Sequence, residues 1–172
     1  MQNEFYGESA RAVGVLQGAM VELALERAIK STLRRDLTSG IEKSIFGFDG
    51  VFGTFSAKIK FGYAVPLFGS ITKHDLDIIR LMRNEFAHCR KPISFDLPVV
   101  RDICINLQIP ETDIKRTPYG YWNATPHDDL ALAVAGDSAK MKFVTSCHTI
   151  ATYLLDFSER GQNVVVHETG LP

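Results

Sequence analysis

The stretch from Glu8 to about Arg35 sets the terms for the whole chain. It holds no proline and is rich in Ala, Leu, Val and Glu. Its apolar residues recur at helical spacing, Leu16, Met20 and Leu23 on one track and Leu25, Ile29 and Leu33 on another. Only one polar stripe remains, Glu22, Glu26, Lys30 and Arg34 at four-residue steps, with Glu26 placed to pair with Lys30. A helix so short of polar positions must be buried on much of its surface, and the rest of the chain has to wrap it. Gly14 and Gly18 lie four apart on one side. They are either two weak points in the helix or the place where a second helix comes close.

The remaining chain reads as further helices, so the expectation is an all-α, single-domain helical bundle of about five. Thr38 to Gly53 carries four glycines and an Asp49–Gly50 turn signal, and reads as a connecting loop with buried aromatic anchors. A second helix is expected from Thr54 to Val65, before Pro66. A third starts at Thr72-Lys-His-Asp75, which resembles a capping box, and ends before Pro92. On it Ile78, Ile79, Met82 and Phe86 form the core face. Arg80, Asn84 and His88 fall on the opposite flank, and Arg83 sits at the border. A fourth helix follows Pro98 to about Leu107. Residues 109–129, with three prolines and Tyr119, Tyr121 and Trp122, read as an irregular loop. A last helix, capped by Asp137 or Ser138, runs to Arg160 and is stopped by Gly161. The helical domain is thus expected over 1–160, with a loosely held tail over 161–172 in which Val164–Val166 suits a short strand.

Composition narrows the classes of function. With 19 Lys and Arg against 20 Asp and Glu, the net charge of −1 disfavours a DNA-coating protein, and 45% hydrophobic residues disfavour a disordered one. No run of about 18 apolar residues is present, so no membrane partner is expected, and the N-terminus does not read as a secretory signal. Three scattered cysteines, Cys89, Cys104 and Cys147, do not read as a disulfide framework and point to a reducing, cytoplasmic setting. The five histidines show no ligand spacing, so neither metal nor cofactor is expected. Charge is unevenly spread, with a balance of +6 from Arg27 to Arg101 and −7 elsewhere. The middle of the chain either carries a positive face for an anionic partner or simply solvates its helices.

Two constellations carry candidate chemistry. Arg83-Asn84-Glu-Phe-Ala-His88 places a permanent cation, an amide and an imidazole near a helix end. Arg can grip phosphate with a planar fork, and His can move a proton near neutral pH. Five residues turn an ideal helix through about 500°, so Arg83 and His88 point about 140° apart, and a nearby two-fold axis would help to unite them. The plainer account is that Arg83 bonds a buried carboxylate or carbonyl while Asn84 and His88 finish the helix. Lys58, Lys60 and Arg80 complete the candidate binding set around this motif. Tyr121 and Trp122 either stack on a base, sugar or partner, or anchor their own loop. Adjacent Cys147 and His148 point about 100° apart, which fits core packing better than a reactive pair.

Three segments, GTFSAKIKFGYAVPLFG (53–69), DLDIIRLMRNEFAH (75–88) and ISFDLPVVRDICINL (93–107), resemble in order and spacing the mannitol operon repressor family. The likeness covers about residues 5–108. It implies an all-α, self-associating domain, a homodimer that regulates sugar-alcohol uptake together with another regulatory protein. No helix-turn-helix pattern accompanies it, so direct, sequence-specific DNA binding is not expected. The Arg-x4-His spacing is also similar to that of the HEPN superfamily, many of whose members are helical dimers that cut RNA without a metal. That likeness implies a role for RNA: either cleavage, with Arg83 on the scissile phosphate, His88 taking the proton of the ribose 2′-hydroxyl and Asn84 orienting both, or RNA or nucleotide binding through Arg83 and His88 without cutting.

Overall fold

A computed structural model describes residues 9–33, 36–108, 112–116, 122–126 and 139–162. Among them are six helices: α1 (Ala10–Thr32), α2 (Ser39–Phe46), α3 (Phe55–Ala64), α4 (Ser70–His88), α5 (Pro98–Ile105) and α6 (Ala139–Gln162). The fold is the expected all-α bundle with one helix more than the pattern predicts. The extra one, α2, lies in the stretch read as a loop. Thr38 caps it, its hydroxyl accepting from the Ile41 amide at 3.4 Å, and Glu42 sits in its first turn. No residue of α2 is fully buried, though Phe46 is half-buried against the core, and the helix is only two turns long.

α1 is the axis of the bundle, packing most extensively against α6 and α4 and also against α3. Ser9 caps it by accepting from Ala12 N at 3.1 Å. The two glycines answer the question of close approach. A methyl at Gly14 would fall inside the Phe86 ring, and one at Gly18 would lie 2.5 Å from Arg83 Cβ. Gly14 meets Phe86 and Gly18 meets Arg83, so α4 runs antiparallel to α1. The core is built from Val21, Leu25, Ile29, Ile59, Phe68, Leu76, Ile79, Met82, Phe86, Phe143 and Ile150, all buried. The Phe86, Phe95 and Phe143 rings stand in series at 4.8 and 5.5 Å between centroids, joining α4 to the start of α6. The C-terminal turns of α1 and α6 border one groove, so these two helices run in the same direction.

The Thr72–Asp75 capping box is not used. α4 starts at Ser70, a turn's fraction earlier, with Gly69 as its N-cap and no side-chain cap. Thr72 lies inside the helix with its Oγ1 buried and without a hydrogen-bond partner. Asp75 is fully buried, and both its oxygens accept from the Gln108 amide at 3.1 and 3.0 Å. A buried carboxylate therefore ties the exit of α5 to α4, a link that the local motif conceals. α6 runs two residues past the expected stop at Arg160.

Residues 112–126 also differ from expectation. β1 (Thr112–Arg116) and β2 (Trp122–Pro126) pair antiparallel, Thr112 opposite Pro126 and Arg116 opposite Trp122, where an irregular loop was expected. Asp137, Ser138 and Val164–Val166 lie outside the described residues.

Candidate functional site

α4 positions the Arg83-Asn84-x3-His88 motif. Its apolar side, Ile78, Ile79, Met82 and Phe86, is buried as the periodicity predicts, which fixes the rotation of the helix. Arg83 then sits at the rim beside α1. Its stem lies over Gly18, the only residue type that leaves room for it, and its side chain is 34% exposed. Nη1 donates to Asn84 Oδ1 at 3.1 Å, and Nη2 lies 3.4 Å from Glu22 Oε2. His88 stands exposed at the end of the helix, one turn beyond Asn84.

Glu22 belongs to a larger arrangement. Its Oε1 accepts from Lys58 Nζ at 3.0 Å, and Lys58 also lies 2.9 Å from Glu26 Oε2. Glu26 Oε1 meets Lys30 Nζ at 2.9 Å, and Lys30 meets Glu42 at 2.7 Å. Arg83, Glu22, Lys58, Glu26, Lys30 and Glu42 thus form a continuous chain of alternating charge across α4, α1, α3 and α2. Three cations face three carboxylates, so the chain is neutral. Lys30 also stands 4.8 Å over the Phe46 ring, which holds α2 against α1.

Burial and pairing oppose each other within this chain. For Glu26, burial pushes the carboxyl up. The hydrogen bonds from Lys58 and Lys30 outweigh it and leave the group below its ordinary value. For Lys30, burial pushes the ammonium down, and Glu42 and Glu26 together hold it above the usual range.

The structure separates the predicted residues. Lys58 is 5% exposed and committed to Glu22 and Glu26, so it corrects the reading of it as a surface cation for a partner. Two carboxylates a full helix away in sequence draw it inward. Lys60, on the opposite side of α3, is exposed. Arg80 points along its own helix, with Nε 3.6 Å from Asp77 Oδ1. Trp122 is placed by its strand opposite Arg116, while Tyr121 lies outside the described residues. His148 is exposed and Cys147 buried, which separates that adjacent pair.

Sequence reasoning missed Arg11. From the first turn of α1 its guanidinium donates to the carbonyls of Phe86 at 2.7 Å and Cys89 at 2.5 Å, closing the C-terminal end of α4 beside His88. Those carbonyls have no partner within the helix, and a cation there also suits the negative end of its dipole. The one available signal was an arginine in a helix's first turn, where a positive charge is otherwise unfavourable.

Among the described residues, no three His, Cys, Asp or Glu side chains gather as a metal site needs, and no helix is long and apolar enough to cross a membrane. Comparison with protein-family models, with curated proteins and with solved structures finds no match to this chain.

Proposed function

We propose that the chain is a non-enzymatic regulator, resembling the mannitol operon repressor, that acts by binding proteins rather than by reading DNA bases. Its partners are a second copy of itself and another regulatory protein. One observation carries this reading: the arginine that a phosphate would need is spent on Glu22, within a chain of charges that sums to zero. A phosphate at Arg83 would have to compete with the Glu22 carboxylate 3.4 Å away, and the cation on the other side of that carboxylate, Lys58, is buried. Exposed apolar side chains on α1 supply surface for protein association instead.

The test uses the purified chain. It should leave RNA intact, show no tight binding to operator fragments at physiological salt, and associate with itself in a concentration-dependent way. Tight, sequence-specific DNA binding overturns the mechanism.

A HEPN-like ribonuclease is the second reading, favoured by the Arg83–Asn84 hydrogen bond and by the exposure of His88 one turn further on. In it His88 takes the 2′-hydroxyl proton while Arg83, released from Glu22, holds the phosphate. RNA cleavage that survives EDTA and vanishes in folded His88→Ala would put this reading first.

A further inference from the structure

The second turn of α4 holds an ordered imidazole far from Arg83 and His88. His74 Nδ1 lies 3.0 Å from Asp75 Oδ1, with the His74 side chain 45% exposed and that of Asp75 fully buried. Asp75 is itself anchored, since both its oxygens accept from the Gln108 amide at 3.1 and 3.0 Å. An ionised carboxylate only accepts, so in the neutral ring the proton facing it sits on Nδ1. Nε2 then carries the lone pair, turned away from the buried carboxylate toward solvent. Of the three histidines among the described residues, only His74 is held in this way. His88 and His148 are exposed, and neither is paired with a carboxylate.

The surroundings narrow what such a nitrogen can do. Among the described residues no third His, Cys, Asp or Glu joins the pair as a metal site needs. Ser70, one turn back, makes no hydrogen bond to the ring, so no hydroxyl is poised to give up a proton to it. The nucleophile on offer is the imidazole itself. The same turn also favours negative charge. Helical side chains lean toward the N-terminus, so His74 lies over the first turn of α4. The leading amides there have no acceptor within the helix, Gly69 supplies no side-chain cap, and no acidic residue stands in that turn. The flanking charges, Lys73 and Asp77, pair with each other at 2.9 Å and offset one another. A dianion carried on Nε2 sits at the end of the helix where the dipole stabilises it.

We infer that His74 is a phosphoryl acceptor, taking the group on Nε2 from a phosphoramidate or acyl phosphate donor. The Nε2 lone pair forms the new N–P bond as the donor's N–P or O–P bond breaks, and the electron pair of the broken bond leaves with the donor. Nδ1 keeps its proton, and the Asp75 carboxylate balances the positive ring that results. The step is a reversible modification of the chain, and it requires neither self-association nor a catalytic site of the chain's own.

The experiment incubates the purified full chain with potassium phosphoramidate at neutral pH, where ammonia is the leaving group. Tandem mass spectrometry, run without acid, then locates the phosphoryl groups. His74 should be labelled about tenfold or more faster than His88 and His148 in the same sample, the gain expected of an imidazole oriented by a carboxylate. The other two histidines are exposed and so measure accessibility alone. Asp75→Asn, with circular dichroism to verify the fold, should bring His74 down to their rate, and His74→Gln should abolish the fast phase. The comparison within the unaltered chain decides the matter even where Asp75→Asn fails to fold. Equal labelling of the three histidines, or no labelling at His74, overturns the inference. So does a preference for His74 that persists in folded Asp75→Asn.

Discussion

Arg11 and Phe86 are 75 residues apart in sequence, yet the Arg11 guanidinium donates to the Phe86 carbonyl at 2.7 Å. With Cys89 as the second acceptor, this side chain finishes α4 from outside, in place of the glycine that ends many helices. Arg11→Met keeps the apolar stem and removes these bonds together with the longer ones to the Ala87 and Lys91 carbonyls. It should cost about 1–3 kcal/mol, as charged donors to orphan carbonyls do. Hydrogen exchange should speed up at the last amides of α4, while those of its first two turns keep their protection until global unfolding. Unchanged exchange around His88 would show that the guanidinium does not hold the helix end.

The glycines of α1 and α2 should respond in opposite directions to one substitution. Gly14→Ala drives a methyl into the fully buried Phe86 ring, and over-packing of this kind costs about 1–3 kcal/mol. Gly18→Ala meets Arg83 Cβ at 2.5 Å, an atom fixed to the backbone of α4, so the helices must part and the loss should be similar. A methyl at Gly40 would meet nothing within 4 Å, so Gly40→Ala should gain about 0.5–1 kcal/mol from helix propensity. Urea midpoints of the three variants check the order.

Lys58 is the most exposed to loss of a partner. Lys58→Met leaves Glu22 and Glu26 facing each other with less cation between them, and removing one member of a buried pair costs about 3–5 kcal/mol. Adding Glu22→Gln should recover part of the loss, and the double-mutant cycle measures that coupling.

Stability should fall at both ends of the pH scale for reasons traceable to this same chain of charges. Glu26 titrates below its ordinary 4.5 when folded, so its contribution is present above that value and is lost as the pH drops through the folded one. Lys30 titrates above its ordinary 10.5 when folded, so its contribution is full below 10.5 and is lost as the pH climbs through the folded one. Between these limits the urea midpoint should be insensitive to either group. Glu26→Gln should flatten the acid limb, and Lys30→Met the alkaline one.

The cysteines should divide one from two. Burial pushes the Cys104 thiol up to about 11 against the opposing effect of Lys142, and Cys147 rises further through burial, with Cys104 and Asp75 adding to it. Only Cys89 is partly exposed. A thiol reagent at mildly alkaline pH should label Cys89 quickly and the other two only on unfolding.

How much of this was legible follows from where each cause lies along the chain. The buried side of α4 was readable because Ile78, Ile79, Met82 and Phe86 repeat within one helix, and local period needs no partner. The border position of Arg83 followed from the same turn angle. Lys58 was not readable, since what buries it are Glu22 and Glu26 on another helix. Asp75 misled for a related reason: it stands where a capping residue would, but its carboxylate serves Gln108. α2 escaped notice because it is only eight residues long and buries no residue fully, too short a run for a period to stand out among four glycines.

α1 leans most heavily on α6, the described helix furthest from it along the chain. α1 emerges with two apolar flanks and must keep them from misassociating until α6 arrives to lie alongside. Closure of the core is therefore a late, long-range event, slower than the formation of its helices. Nascent chains halted before residue 139 should be clients for chaperones, bearing an uncovered central rod.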